Sequence, residues 1–174
     1  MSFTKIHLML ERKNFIAAGH AEIIEEPCNY DRFYKLMERV GKPSNWNKRQ
    51  VFHDQKSVNR LKSTFEQPSS HLWIFKDGDK EVGFCQVANV TDLKGIFNNA
   101  TGIAEIYKVG LFPEYIGQGK GKNYLSALVE ELFKNNHTIY LNTRDSNVVD
   151  SIHFYTKLGF EVFHTETLPD DLVM

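Results

Sequence analysis

Apolar residues along this chain recur in two rhythms. Near the start, "FTKIHLML" (3–10) alternates in the manner of a strand, and "HAEIIEE" (20–26) reads the same way. The rhythm then lengthens. In "NYDRFYKLMERVG" (29–41), Phe33, Leu36, Met37 and Val40 fall on one helical face, and Gly41 is placed to end the helix. "DQKSVNRLKSTFEQP" (54–68) carries a thinner stripe of Val58, Leu61 and Phe65. "HLWIF" (71–75) and "EVGFCQVANV" (81–90) predict two strands joined by a tight turn through Asp77-Gly78. After a loop over 91–102, "IAEIYKVGL" (103–111) predicts a strand. A helix from about residue 118 follows, with Tyr124, Leu125, Leu128, Val129, Leu132 and Phe133 as its apolar stripe. "TIYLN" (138–142) is a strand. "NVVDSIHFYTKLGF" (147–160) is a helix that stops at Gly159, with Val148, Val149, Ile152 and Tyr155 on one side, and "FEVFHTE" (160–166) is a last strand. Strand–helix–strand units in the C-terminal half predict a mixed α/β (α+β) domain.

Composition narrows the function classes. The 174 residues fit one domain with a real core, and 41% hydrophobic with 25% charged residues is ordinary for a soluble chain. A formal net charge of −1 gives no basic excess that would point to nucleic acid. No run of about 20 apolar residues predicts a membrane span, and the start lacks the apolar block of a secretory signal. Cys28 and Cys85 are far apart and have no partner cysteines, so buried thiols in a reducing compartment are expected, not a disulfide framework or a zinc site. The expected address is the cytoplasm, with no membrane partner and no metal.

The most informative stretch is "LFPEYIGQGKGKNYLSALVEELF" (111–133). Gly117, Gly119 and Gly121 fall at alternate positions where a helix must begin. The first turn of a helix offers unpaired N–H groups and a partial positive charge. A phosphate can sit there when no side chain blocks the way, and Lys120 and Lys122 add charge. The alternative is a tight turn with no ligand. Neither common nucleotide motif fits. Asn123 follows Lys122 where a P-loop needs Ser or Thr, and G-x-G-x-G is not the dinucleotide G-x-G-x-x-G.

"VGLFPEYIGQGKGKNYL" resembles the acyl-coenzyme A signature of the Gcn5-related N-acetyltransferase (GNAT) superfamily, Arg/Gln-x-x-Gly-x-Gly/Ala, with Gly119 and Gly121 at its two small positions and Ile116 where Arg or Gln is usual. "HFYTKLGFEVF" resembles the family's "LYEKLGF" element. "ERVGKPSNWNKR" and "GLFPEYIGQGKG" are similar to a bacterial subgroup that carries VGxPWxW and GLxPEFIGxGxG. The resemblance implies a GNAT-like, mostly antiparallel sheet of about seven strands flanked by about four helices. It implies one acyl-CoA N-acyltransferase domain over 1–174, with an extra N-terminal strand in 1–15.

The resemblance also implies the chemistry. Acetyl-CoA is the co-substrate, and a small-molecule or peptide amine is the acceptor. The pyrophosphate lies on the amides of Gly117, Gln118, Gly119, Lys120, Gly121 and Lys122. Val109, Gly110 and Leu111 pair with the pantetheine arm, and the Leu111 N–H donates to the thioester oxygen. Asn147 is a further candidate for the coenzyme, one residue before the family's usual Asn position, which Val148 fills here. Glu105 is the candidate base, with an exposed strand carboxylate as its other reading and His71 as the second candidate. Tyr155 matches the family tyrosine that donates to the coenzyme sulfur, and its other reading is a core aromatic. Trp46, Phe52 and Trp73 either line an acceptor pocket or belong to the core. A non-catalytic acyl-CoA sensor or interaction module is the alternative function, and a homodimer is one open assembly state.

Overall fold

Seven strands form one sheet in the computed structural model, which describes residues 2–41, 55–89, 96–145 and 148–169. The strands are β1 (Ser2–Glu11), β2 (Glu22–Glu26), β3 (His71–Asp77), β4 (Lys80–Asn89), β5 (Ile103–Leu111), β6 (Thr138–Arg144) and β7 (Glu161–Pro169). The helices are α1 (Tyr30–Gly41), α2 (Gln55–Phe65), α3 (Gly121–Leu132) and α4 (Val148–Thr156). The strand order is β2-β3-β4-β5-β6-β1-β7, and every pairing is antiparallel except β5 with β6. The predicted α/β class and mostly antiparallel sheet are what the molecule adopts. The helix expected from about residue 118 begins at Gly121.

The N-terminal strand is not an edge appendage. β1 lies between β6 and β7 and pairs with both, so both of its edges are hydrogen-bonded. Ile6, Leu8 and Leu10 join the core under α3, while His7 is wholly buried on the opposite face.

Two cores sandwich the sheet. One packs Tyr124, Leu125, Leu128, Val129 and Leu132 of α3 against Cys85, Val87, Ala104, Ile106, Ile139 and Leu141. The other packs Phe33, Leu36, Met37 and Val40 of α1 with Phe65 of α2 against Leu72, Ile74 and Phe84. Each large apolar side chain so buried contributes about 1.5–3 kcal/mol. A register shift opposite Gln86 and Val87 leaves Tyr107 as the extra residue of β5. The bulge puts Ala104, Ile106, Val109 and Leu111 towards α3, and Glu105 and Lys108 towards the α1 side.

The parallel seam is short. β5 and β6 are in register only from Ile103↔Thr138 to Glu105↔Tyr140. Beyond it, β5 continues to Leu111 paired with β4, and β6 continues to Arg144 paired with β1. The two strands diverge after Glu105, and the inner edge of β5 is left open.

Candidate active site

The glycine loop joins this open edge to α3. After a 3-10 turn at Pro113–Tyr115, Gly117 (φ 81°) and Gly119 (φ 73°) take the left-handed conformation that glycine adopts without strain. A Cβ at either position would meet nothing within 4 Å, so the backbone conformation, not crowding, calls for glycine there. The first hydrogen bonds of α3 run from the Asn123 and Tyr124 N–H groups to the Lys120 carbonyl. The Gly121 and Lys122 amides therefore precede the first intrahelical bond and point out of the helix. Lys120 precedes α3 without a side-chain cap. This is the donor set an anion needs.

A cleft of about 600 Å³ opens here between β5, the loop and the C-terminal half of α4. Among its lining are Val109, Gly110, Leu111, Gly117, Gly119, Lys120, Gly121, Lys122 and Tyr155. Lys157 and His153 add basic groups, and Phe154, Leu125 and Phe75 add apolar wall. The floor at Gly110 is tight, because a Cβ there would collide with Val40 of α1. The Phe112 N–H donates to the Val82 carbonyl on the β4 side at 2.8 Å. Amide direction alternates along a strand, so the Val109 and Leu111 N–H groups face the other way, into the divergence.

Tyr155 sits in the cleft wall with its ring edge-on to Phe154 and Phe160. Burial, and secondarily Cys85, push its hydroxyl up to about 12, so it stays protonated and able to donate near neutral pH. Glu105 lies on the other face of the sheet, at the last paired residue of the seam, beside Tyr140. Burial raises its carboxyl to about 7, against the opposing pull of Lys5 and Lys108. Lys108 is itself lowered to about 8 by burial and by Arg144. Glu105 is not among the residues that line the cleft; it precedes Val109 along β5 and faces the other side of the sheet.

Other candidates lie elsewhere. The Gln118 side chain donates to the Glu114 carbonyl at 3.1 Å and bridges the loop instead of lining the cleft. His71 pairs with Glu25 and lies on the face opposite Glu105, as does Trp73, which packs on the α3-side core opposite Cys85. Asn147, Trp46 and Phe52 lie outside the described residues. Cys85 is buried as expected, while Cys28 is only half-buried. Sequence reading missed Tyr115, Phe154, His153 and Lys157 as cleft residues. Phe154 and His153 stand in the quoted "HFYTKLGF", and the helical period of α4 was the signal that could have found them.

One ion pair ties the glycine loop to the β3–β4 turn. Lys120 Nζ donates to Asp77 Oδ2 of the β3–β4 turn at 2.8 Å. The pairing lowers the Asp77 carboxyl and raises the Lys120 ammonium. Among the described residues, no helix is long and apolar enough to cross a membrane.

No curated protein matches the chain significantly. Among solved structures, a functionally unknown conserved protein from Staphylococcus epidermidis superposes with a TM-score of 0.63 at 13% identity, over 96% of this chain and 60% of its own. A GNAT-family acetyltransferase from Novosphingobium aromaticivorans gives 0.60 at 13%, over 96% and 63%. An aminoglycoside acetyltransferase from an uncultured soil metagenomic sample, in complex with sisomicin, gives 0.56 at 14%, over 78% and 86%. This chain thus spans less than two thirds of the first two, and identities this low establish the shared fold alone. The model of the acetyltransferase (GNAT) family matches residues 31–160, three quarters of the sequence. The chain belongs to the GNAT acetyltransferase family.

Proposed function

We propose that this protein transfers an acetyl group from acetyl-CoA to a primary amine, as a single acyltransferase domain acting in the cytoplasm. The observation that carries the reading is the divergence of β5 from β6 beside the glycine loop. An open strand edge offers the alternating N–H and C=O groups an amide-rich arm can pair with, and the helix start offers the donors a pyrophosphate needs. Glycines with open space above them, three lysines and a mostly apolar wall suit a coenzyme of this kind.

Acetyl-CoA supplies the activated acyl carbon. The chain's own groups divide the remaining work. The Glu105 carboxylate takes the proton that the amine loses as its C–N bond forms, and a carboxyl near 7 is matched to that task at neutral pH. The Leu111 N–H donates to the carbonyl oxygen as negative charge develops there. As the C–S bond breaks, the Tyr155 hydroxyl donates a hydrogen bond to the departing thiolate. With its own hydroxyl near 12, it stabilises the thiolate by hydrogen bonding more than by full proton transfer.

The test is a panel of amines, aminoglycosides and amino-terminal peptides among them, incubated with acetyl-CoA while free thiol is followed. Amine-dependent thiol release is expected for at least one class. Binding of acetyl-CoA with no release for any amine would favour the sensor reading, and no binding would remove both.

A further inference from the structure

Away from the cleft, β1 and the edge strand β7 bring together three side chains that the proposed reaction does not use. His7 faces His164 across the β1–β7 ladder, and Glu166 lies two residues on along β7, on the same face. One ligand atom from each lies within 4.8 Å of the other two. The rings of His7 and His164 are 5.3 Å apart.

We propose that His7, His164 and Glu166 form a binding site for a divalent cation of borderline softness, Zn²⁺ above all, that ties the edge strand to β1. Two imidazoles and a carboxylate are a donor set this ion takes, with a fourth position left to water. Donor atoms around a tetrahedral Zn²⁺ stand about 3.3 Å apart, from bonds of about 2.0–2.1 Å. His7 Nε2 and Glu166 Oε1 are closer than this, at 2.9 Å, and the three ligand atoms span up to 4.8 Å, but His164 is exposed and Glu166 is only partly covered, so both can shift around an ion.

The buried member is already held for the task. His7 Nδ1 is 2.7 Å from the Tyr140 hydroxyl, and Nε2 is 2.9 Å from Glu166 Oε1. An ionised carboxylate only accepts, so Nε2 carries the proton and the Tyr140 hydroxyl donates to Nδ1. A cation at Nε2 needs the other tautomer, with Nδ1–H donating to the Tyr140 oxygen. That oxygen also accepts from Asn142 Nδ2 at 3.2 Å, so in this tautomer it accepts from both donors and its own O–H turns away from the ring. A ligating histidine held by a hydrogen bond at its second nitrogen is the usual arrangement at metal sites. One group opposes the ion: Lys5 Nζ stands 3.7 Å from Glu166 Oε1.

No motif announced this site, because its ligands are separated by nearly the whole chain, and composition alone argued against any metal. The test is to titrate Zn²⁺ into the full chain, stripped with EDTA, by calorimetry, and Co²⁺ by absorption. One ion per chain is expected, with a rise in Tm. His164→Ala and Glu166→Gln, both away from the core, should weaken binding by at least about tenfold. Lys5→Met should tighten it. No heat beyond dilution overturns the proposal, and so does binding that survives both β7 variants unchanged, since the ion then sits elsewhere. Because none of these readouts involves acetyl transfer, the outcome is independent of the function proposed above.

Discussion

The two faces of the sheet carry polar chemistry in opposite ways. On the α3 side, the cleft is built mostly from one continuous stretch, β5 through the start of α3, with α4 closing it. Its donors are backbone amides, and its side chains are mainly absent or apolar. On the other face, Glu105, Tyr140, His7, His164 and Glu166 come from four strands and present side-chain polar atoms. A backbone site is written in glycines and spacing, so it is local. A side-chain site is written in topology, because strand order alone decides which residues become neighbours.

The sharpest way to break this comparison is Glu105→Gln, which tests whether the second face serves the first. Turnover should fall by about 10²–10⁴-fold with little change in coenzyme affinity. In the wild type, turnover should rise with pH through about 7 as the raised carboxyl ionises, and the variant should lose that limb. Stability moves the other way. The native state holds this proton more tightly than the unfolded chain does, so stability falls as pH climbs from the ordinary carboxylate range through 7. At pH 8 the Gln variant should therefore be more stable, by on the order of 1 kcal/mol in urea unfolding. Unchanged turnover at every pH would leave Glu105 a passive strand residue.

Gly121→Val tests the backbone site directly. A Cβ at this position would make only ordinary contacts, at 3.5 Å from Phe154, so the fold should survive. The added methyls stand where the phosphates would approach, and coenzyme affinity measured by calorimetry should drop by about 100-fold, nearly 3 kcal/mol. Retained affinity would show that the helix start is a turn and not a cradle.

Tyr155→Phe removes one hydroxyl and keeps the ring between Phe154 and Phe160. Turnover should fall by more than about tenfold, while coenzyme affinity stays within a few-fold and stability changes by about 1 kcal/mol or less. A lower Tm with unaltered turnover would mark it as a core aromatic instead.

The smallest effect is expected at Asp77→Asn. The exposed Asp77–Lys120 pair contributes little to stability. Removing its negative charge frees Lys120 for phosphate, so coenzyme should bind a few-fold tighter, and the gain should shrink as salt rises. Weaker binding would mean that Asp77 positions Lys120 instead of competing for it.

Sequence alone determined most of the elements and the glycine loop at the start of α3. Periods of 2 and 3.6 residues follow from backbone geometry, and the stripe of Tyr124, Leu125, Leu128, Val129 and Leu132 is buried as its spacing requires. Left-handed glycines at a helix start likewise need no distant partner to be legible. Only the tertiary structure decided the rest. β1 could not be seen to lie between β6 and β7, because any strand apolar on one face fits many ladders. The divergence after Glu105↔Tyr140 depends on β5 being drawn to β4 and β6 to β1, a competition between pairings that no single segment records. The bulge at Tyr107 put Val109 and Leu111 on the face opposite Glu105, since one extra residue inverts the alternation beyond it. His7 meets His164 and Glu166 for the same reason: strand pairing brings together residues the chain itself keeps far apart.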